Sequence, residues 1–150
     1  MKLYKVGILG ATGAVGREMM KILAERQFPI SELRLFASSR SAGKVVEWNG
    51  RPVMIQEPSE ENFRGIAAIM LGELKTALEE HGVALRLDES VIDYLVQKSY
   101  TLTYGARNLR RTIQKDIEDV VAEKLIDSYE NPITAIGLQA QDGKLELSCL

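Results

Sequence analysis

The segment from Glu61 to Gly82, ENFRGIAAIMLGELKTALEEHG, carries two incompatible patterns, and it limits the fold more than any other stretch. Approached from the N-terminal side, it follows a strand, a helix and further strands, and its apolar centre IAAIML reads as the next buried strand of a sheet. Approached from the C-terminal side, Leu71, Leu74 and Leu78, extended upstream by Ile66 and Met70, form a stripe at helical spacing that ends near Gly82. Ala67, Leu74 and Leu78 are good helix formers, which predicts a helix from Gly65 or Ile66 through Glu80.

The residues before this segment read as strand, glycine turn, helix and strand. YKVGILG is a short apolar run ending in glycine, and AVGREMMKILAER sets Val15, Met19, Ile22 and Leu23 at helical spacing, the expected buried stripe of the helix. Leu33 to Ala37 reads as the second strand, and KVVEWNGRPVMIQE as two strands around Asn49-Gly50, a hairpin dipeptide. Gly10, Gly13 and Gly16 fall where the first strand meets the helix. Glycines there let the backbone turn sharply and approach a pyrophosphate, which meets free N–H groups and the positive end of the helix dipole. Where the NAD form of this turn has an acidic residue about 20 positions on, this chain has SSRSAG, Ser38 to Gly43. Hydroxyls and an arginine suit a 2′-phosphate, so NADP is expected over NAD. The plainer reading is that the glycines only pack helix on strand and that Arg40 is a solvated loop residue.

The string GILGATGAVGREMMKILAERQFPISELRLFASSRSAGKVVEWNG resembles the N-terminus of the aspartate-β-semialdehyde dehydrogenase family, and the similarity runs through EENFRG to about Ile66. The resemblance implies that the GATGAVG turn, Gly10, Ala11, Thr12, Gly13, Ala14, Val15 and Gly16, holds the NADP phosphates, and that Ser38, Arg40 and Ser41 hold the 2′-phosphate. It also implies a later Asn-Cys nucleophile, a histidine acid/base and substrate-binding arginines, and no counterpart of these occurs in the sequence. The single cysteine, Cys149, and the single histidine, His81, read as bystanders, so no catalytic residue is assigned.

After Gly82, VALRLD reads as a short strand and Glu89 to Lys98 as a helix with Val91, Ile92, Leu95 and Val96 on one face. A long helix runs from about Arg107 through Asp127 on Leu109, Ile113, Ile117, Val120, Val121, Leu125 and Ile126. ITAIGLQAQDGKLELSC closes the chain as a hairpin around Asp142-Gly143. SYTLTYGARNLRRTIQKDIEDVVAEKLID resembles the C-terminal small domain of Clp-type AAA+ unfoldases, over about Ile69 to Leu147. In that family the Gly-Ala-Arg arginine, here Arg107, senses the γ-phosphate of ATP held by a large domain. The phosphate-binding G-x-x-x-x-G-K-[ST] loop is not in these 150 residues. The plainer reading makes Arg107, Arg110 and Arg111 an exposed basic turn.

The expected fold class is therefore α/β: a truncated Rossmann-like βαβ half, residues 1–66, joined to an α+β Clp-type small domain, residues 67–150. One composite sheet shared by both halves is the alternative. A net charge of −2 gives no footprint for nucleic acid, and no apolar run approaches the ~18 residues that span a bilayer. No nucleic acid, no membrane and no metal are expected as partners, and the cytoplasm is the expected compartment. The function expected is a chimeric protein without complete catalysis, binding NADP weakly at the glycine turn. The alternatives are an assembly module and, least favoured, a working dehydrogenase. Self-association is expected through exposed sheet edges or the Clp-like surface.

Overall fold

The computed structural model describes residues 1–100 and 106–150. They form two compact units, Met1–Ser59 and Glu60–Leu150.

In the first unit, strand β1 (Tyr4–Leu9) leads into helix α1 (Ala14–Glu25), then β2 (Ile30–Phe36), β3 (Val45–Trp48) and β4 (Arg51–Gln56). The sheet order is β1-β2-β4-β3, with β1, β2 and β4 parallel and β3 antiparallel to β4. Asn49 and Gly50 take φ of 52° and 72°, as a two-residue hairpin turn requires, so the expected hairpin forms on that dipeptide. Val6 and Ile8 of β1, Leu33 and Leu35 of β2, and Val53 and Ile55 of β4 lie on one side of the sheet, where Met20 and Leu23 of α1 join their cluster. The Trp48 indole N–H donates to the Met20 carbonyl at 2.8 Å and ties β3 to the helix.

One expectation for this unit is corrected. The helix forms, but Val15, Met19 and Ile22 are 69%, 50% and 39% exposed. The buried positions are Gly16 and Met20, with Leu23 packed partly against the core. Gly16 brings the helix backbone against the turn, so the contact face is centred on a residue that has no side chain.

The second unit holds α2 (Glu60–Glu80), β5 (Ala84–Leu87), α3 (Glu89–Ser99), α4 (Ala106–Ile113), a π-helical segment (Gln114–Glu118), α5 (Asp119–Asp127), β6 (Ala135–Gln141) and β7 (Lys144–Cys149). Glu61 to Glu80 is thus helical, and His81 and Gly82 form the turn that ends the helix. It starts at Glu60, ahead of the expected Gly65 or Ile66, because Phe63 is fully buried in the second core and meets Tyr100 edge-on at 5.0 Å. The division accordingly falls after Ser59 rather than at 66/67. Sheet order is β5-β6-β7, with β5 and β6 parallel and β6 and β7 antiparallel across the Asp142-Gly143 turn. The strands form two sheets among the described residues, so the composite-sheet alternative is not realised. Each sheet closes on a hydrophobic cluster from its own unit.

Leu109, Ile113, Ile117 and Val121 are all buried and recur every four residues. On a pure α-helix each such step drifts by about 40°, which over three steps would turn Val121 away from the core. The π segment widens the turn to i→i+5 bonding and keeps all four side chains on one face. It also carries Asp116, whose Oδ2 accepts from the Tyr94 hydroxyl at 2.7 Å and from Lys98 Nζ at 2.5 Å. Lys98 Nζ also donates to the Tyr94 oxygen at 3.0 Å. Desolvation is the largest single influence on the Asp116 carboxyl and pushes it up, but the bonds from Lys98 and Tyr94 together outweigh it and the net direction is down. The bonds to Asp116, then to Tyr94, hold the Lys98 ammonium above its ordinary value.

This cluster predicts a pH window. A depressed carboxylate stabilises the fold above its unfolded pKa, and a raised ammonium does so below its own, so the pair acts fully between about pH 4 and about pH 10. Tyr94→Phe should cost about 1 kcal/mol in urea unfolding at pH 7. The stability gap between the wild type and Asp116→Asn should narrow as pH falls below about 4.

Candidate functional site

β1 ends at Leu9, and Gly10 turns the chain with a φ of +73°, a conformation open to glycine at little cost. The N–H groups of Gly10 and Ala11 both donate to the Phe36 carbonyl at the end of β2, at 2.9 and 3.1 Å. The Gly13 N–H donates back to the Gly10 carbonyl at 3.0 Å. These three bonds fix the turn to the C-terminal ends of two adjacent parallel strands, where Leu9 pairs with Phe36.

α1 follows at once. Gly13 is its N-cap and provides no side-chain cap, and the first intrahelical bond runs from the Arg17 N–H to the Gly13 carbonyl. The N–H groups of Ala14, Val15 and Gly16 precede that bond and have no acceptor within the helix. No acidic side chain stands in the first turn to neutralise the positive end of the dipole. A Cβ on Gly16 would lie 2.3 Å from the Gly10 carbonyl oxygen and 2.8 Å from the Ala11 Cα, so glycine is required there by contact. At Gly13 the corresponding approach to the Gly10 oxygen is 3.3 Å, tight but not prohibitive. The N–H groups of Gly10, Ala11 and Gly13 are spent inside the turn, Thr12 is half-buried, and Ala14 and Val15 are exposed, so the accessible donors of this ledge are those of the helix start.

The second expected element leaves β2 beside this ledge. Ser38 to Ser41 form a turn closed by the Ser41 and Ala42 N–H groups donating to the Ser38 carbonyl at 2.9 and 3.1 Å. The Gly43 N–H donates to the Ile55 carbonyl at 2.8 Å and anchors the far end on β4. Ser38 and Arg40 are exposed and Ser41 is half-buried. No ion pair among the described residues involves Arg40. The structure therefore brings the glycine turn and the Ser38–Ser41 turn to neighbouring strand ends at one edge of one sheet. That arrangement offers backbone donors to one phosphate group and a guanidinium with hydroxyls to another.

The remaining residues fall elsewhere. Arg107, Arg110 and Arg111 are exposed on α4, while Tyr104 and Gly105 of the motif around Arg107 lie outside the described residues. His81 is exposed at the end of α2 with Nδ1 2.8 Å from the Ala77 carbonyl, and Cys149 is exposed on β7. No group of three or more metal-ligating side chains occurs among the described residues, and none of their helices is long and apolar enough to cross a membrane.

Sequence reasoning missed an open cavity of about 430 Å³ on the second unit, lined by Arg86, Asp88, Gly137, Gln139, Glu146 and Ser148 among others. Gly137 is among the lining residues, and a Cβ there would meet Ser148 Oγ at 2.6 Å. A glycine inside the alternating strand AIGLQAQ was the available signal, since glycine in a strand often marks a close approach.

Comparison with known proteins gives two matches that overlap over residues 59–93, from α2 through β5 into α3. Residues 59–135 match the C-terminal, D2-small domain, of ClpB protein, and residues 5–93 match the semialdehyde dehydrogenase NAD binding domain. An aspartate-semialdehyde dehydrogenase from Synechocystis sp. is 48% identical over 66 residues, 44% of this chain and 20% of that protein. The one from Vibrio mimicus is 39% identical over 89 residues, 59% of this chain and 28% of that protein. The chain thus spans between a fifth and just over a quarter of the length of these curated relatives. A solved structure of a probable aspartate-semialdehyde dehydrogenase from Pseudomonas aeruginosa covers 56% of this chain and 28% of its own at 22% identity. Its TM-score of 0.38 is too low to add to the sequence matches.

The contact at Gly16 makes its own prediction. Gly16→Ala forces α1 away from the turn and should destabilise the first unit by about 1–3 kcal/mol, whereas Gly13→Ala should cost less. Urea unfolding followed by the fluorescence of Trp48, the single tryptophan, reads the difference.

Proposed function

Because the chain belongs to the semialdehyde dehydrogenase NAD-binding domain family over residues 5–93, and to the ClpB D2-small domain family over residues 59–135, we propose that its first unit binds a phosphorylated dinucleotide, weakly and with preference for NADP. The observation that carries this reading is the pair of hydrogen bonds that the Gly10 and Ala11 N–H groups donate to the Phe36 carbonyl. It holds an uncapped helix start beside the Ser38–Ser41 turn. In this reading Gly10, Ala11, Thr12, Gly13, Ala14, Val15 and Gly16 form the turn that receives the pyrophosphate, with the donors at the helix start and Gly10, Ala11 and Gly13 holding the turn in shape, and Ser38, Arg40 and Ser41 receive the 2′-phosphate.

Preference for NADP follows from charge. A guanidinium presents a fork of donors to a phosphate and stays protonated, while the ribose hydroxyls of NAD would call for an acceptor carboxylate. Weakness follows from exposure, because a ledge open to water screens every charged contact it makes.

The reading stops at binding. Hydride exchange with an aldehyde through a thiohemiacetal needs a thiolate and a proton donor together at the nicotinamide, and no residue of this chain is assigned to either role. Incubation with aspartate semialdehyde, phosphate and NADP should produce no NADPH by absorbance. Calorimetric titration of the full chain should show saturable NADP binding, about tenfold tighter than NAD at low salt, with the difference lost in Arg40→Ala. Equal affinities for the two dinucleotides would remove the role given to Arg40. No heat with either would remove the reading itself.

A further inference from the structure

β1 is an end strand of its sheet and the nucleotide turn hangs from it. The Tyr4 N–H donates to the Pro29 carbonyl and the Gly10 N–H to that of Phe36, so the even-numbered residues of β1 spend their backbone groups on the β2 side. By the alternation of a strand, Lys5, Gly7 and Leu9 aim theirs at the edge that has no neighbouring strand among the described residues.

The exposed flank of α1 lies over that same edge. A helix joining two parallel strands makes a right-handed crossover. With Gly16, Met20 and Leu23 against the sheet, Val15, Met19 and Ile22 sit roughly 60–120° around the helix. The handedness turns them toward the open side of β1 rather than toward β2. An apolar helix flank and a row of free backbone groups are therefore side by side.

We infer that this edge pairs with the β1 edge of a second copy of the chain, antiparallel and about a two-fold axis through Gly7. That register uses the whole outward set: Gly7 faces Gly7 of the other copy, and Lys5 faces Leu9. It opposes no like charges, and both strands contribute the same three residues, which is the self-complementarity that a closed two-fold interface demands. The helices fit the same axis. Strands lie about 4.8 Å apart, and α1 sits over the gap between β1 and β2, so the two copies of α1 come to roughly 10 Å, at the upper end of helix packing distances. Gly16 stands level with Gly10, as their contact shows. The three residues back to Gly7 span about 10 Å, which is six or seven helical residues past Gly16. The axis thus passes near Ile22, which meets its own counterpart, with Met19 beside it.

This interface goes beyond dinucleotide binding and does not depend on it. Sedimentation of the full chain without nucleotide should show a monomer–dimer equilibrium. Ile22→Glu, at a position already 39% exposed, sets two carboxylates together on the axis and should weaken the dimer at least tenfold, with an unchanged thermal melt of the monomer. Ile126→Glu, at a position 75% exposed on α5, should leave it intact. Amide exchange of Lys5, Gly7 and Leu9 should slow as concentration rises through the transition. A chain that stays monomeric to millimolar concentration, a dimer indifferent to Ile22→Glu, or a dimer in which those three amides exchange freely would each overturn the inference.

Discussion

Burial along one face of α2 governs how the rest of the chain is arranged. Phe63, Ala67, Leu71 and Leu78 line that face and all join the second core. Removing Phe63, Leu71 and Leu78 from water contributes about 1.5–3 kcal/mol each. A strand made from IAAIML would contain Leu71 at its end but neither Phe63 nor Leu78. The helix also turns Glu73, Lys75, Glu79 and Glu80 to solvent, where a strand followed by a loop would have had to pass them beside a sheet. The residues that resemble a dehydrogenase through EENFRG are thus taken up by the neighbouring fold, since Phe63 finds its pocket there.

The first unit then stands with one sheet face closed by α1 and the other treated differently. On that second face Lys5 and Arg34 flank Glu32, at 3.7 and 2.6 Å, with the Arg34 bond as the main reason the Glu32 carboxyl lies below its ordinary value. Exposed pairs of this kind contribute little to stability. They put charge on a face that a largely parallel sheet ordinarily needs covered. Phe36 supplies the only large buried ring on this side and lies across Gly7. What this sheet leaves unpaired among the described residues is its two edges, at β1 and at β3.

Much of this was legible in the residues, and the misreadings share a cause. Asn49-Gly50 and Asp142-Gly143 announced their hairpins because both central residues need positive φ, which those dipeptides tolerate. The two halves announced themselves because their strings are specific. What was misread involves contacts made by backbone. Apolar periodicity counts side chains, so it groups Val15, Met19, Ile22 and Leu23, of which only Leu23 packs against the core, when Gly16 sets the face by letting two backbones touch. The four-residue recurrence from Leu109 to Val121 was visible but was read as ordinary helix, although 3.6 residues per turn cannot hold that spacing on one face. The glycine turn itself was legible to the residue, for the same reason that it is required: no other side chain fits at Gly16.

The glycine turn and the β1 edge share one strand but place opposite demands on it. A dinucleotide spans two neighbouring half-sites at the same end of a parallel sheet. Antiparallel pairing through Gly7 sends the two copies of Gly10 in opposite directions, about six residues apart along the strands and so about 20 Å. Neither copy can supply the other with the missing neighbour of its phosphate ledge. Self-association of the inferred kind would cover apolar surface without completing the nucleotide site, because it leaves the two glycine turns about 20 Å apart. Any affinity that the chain has for a dinucleotide is set within one copy, by the helix start at Gly13 and the guanidinium of Arg40.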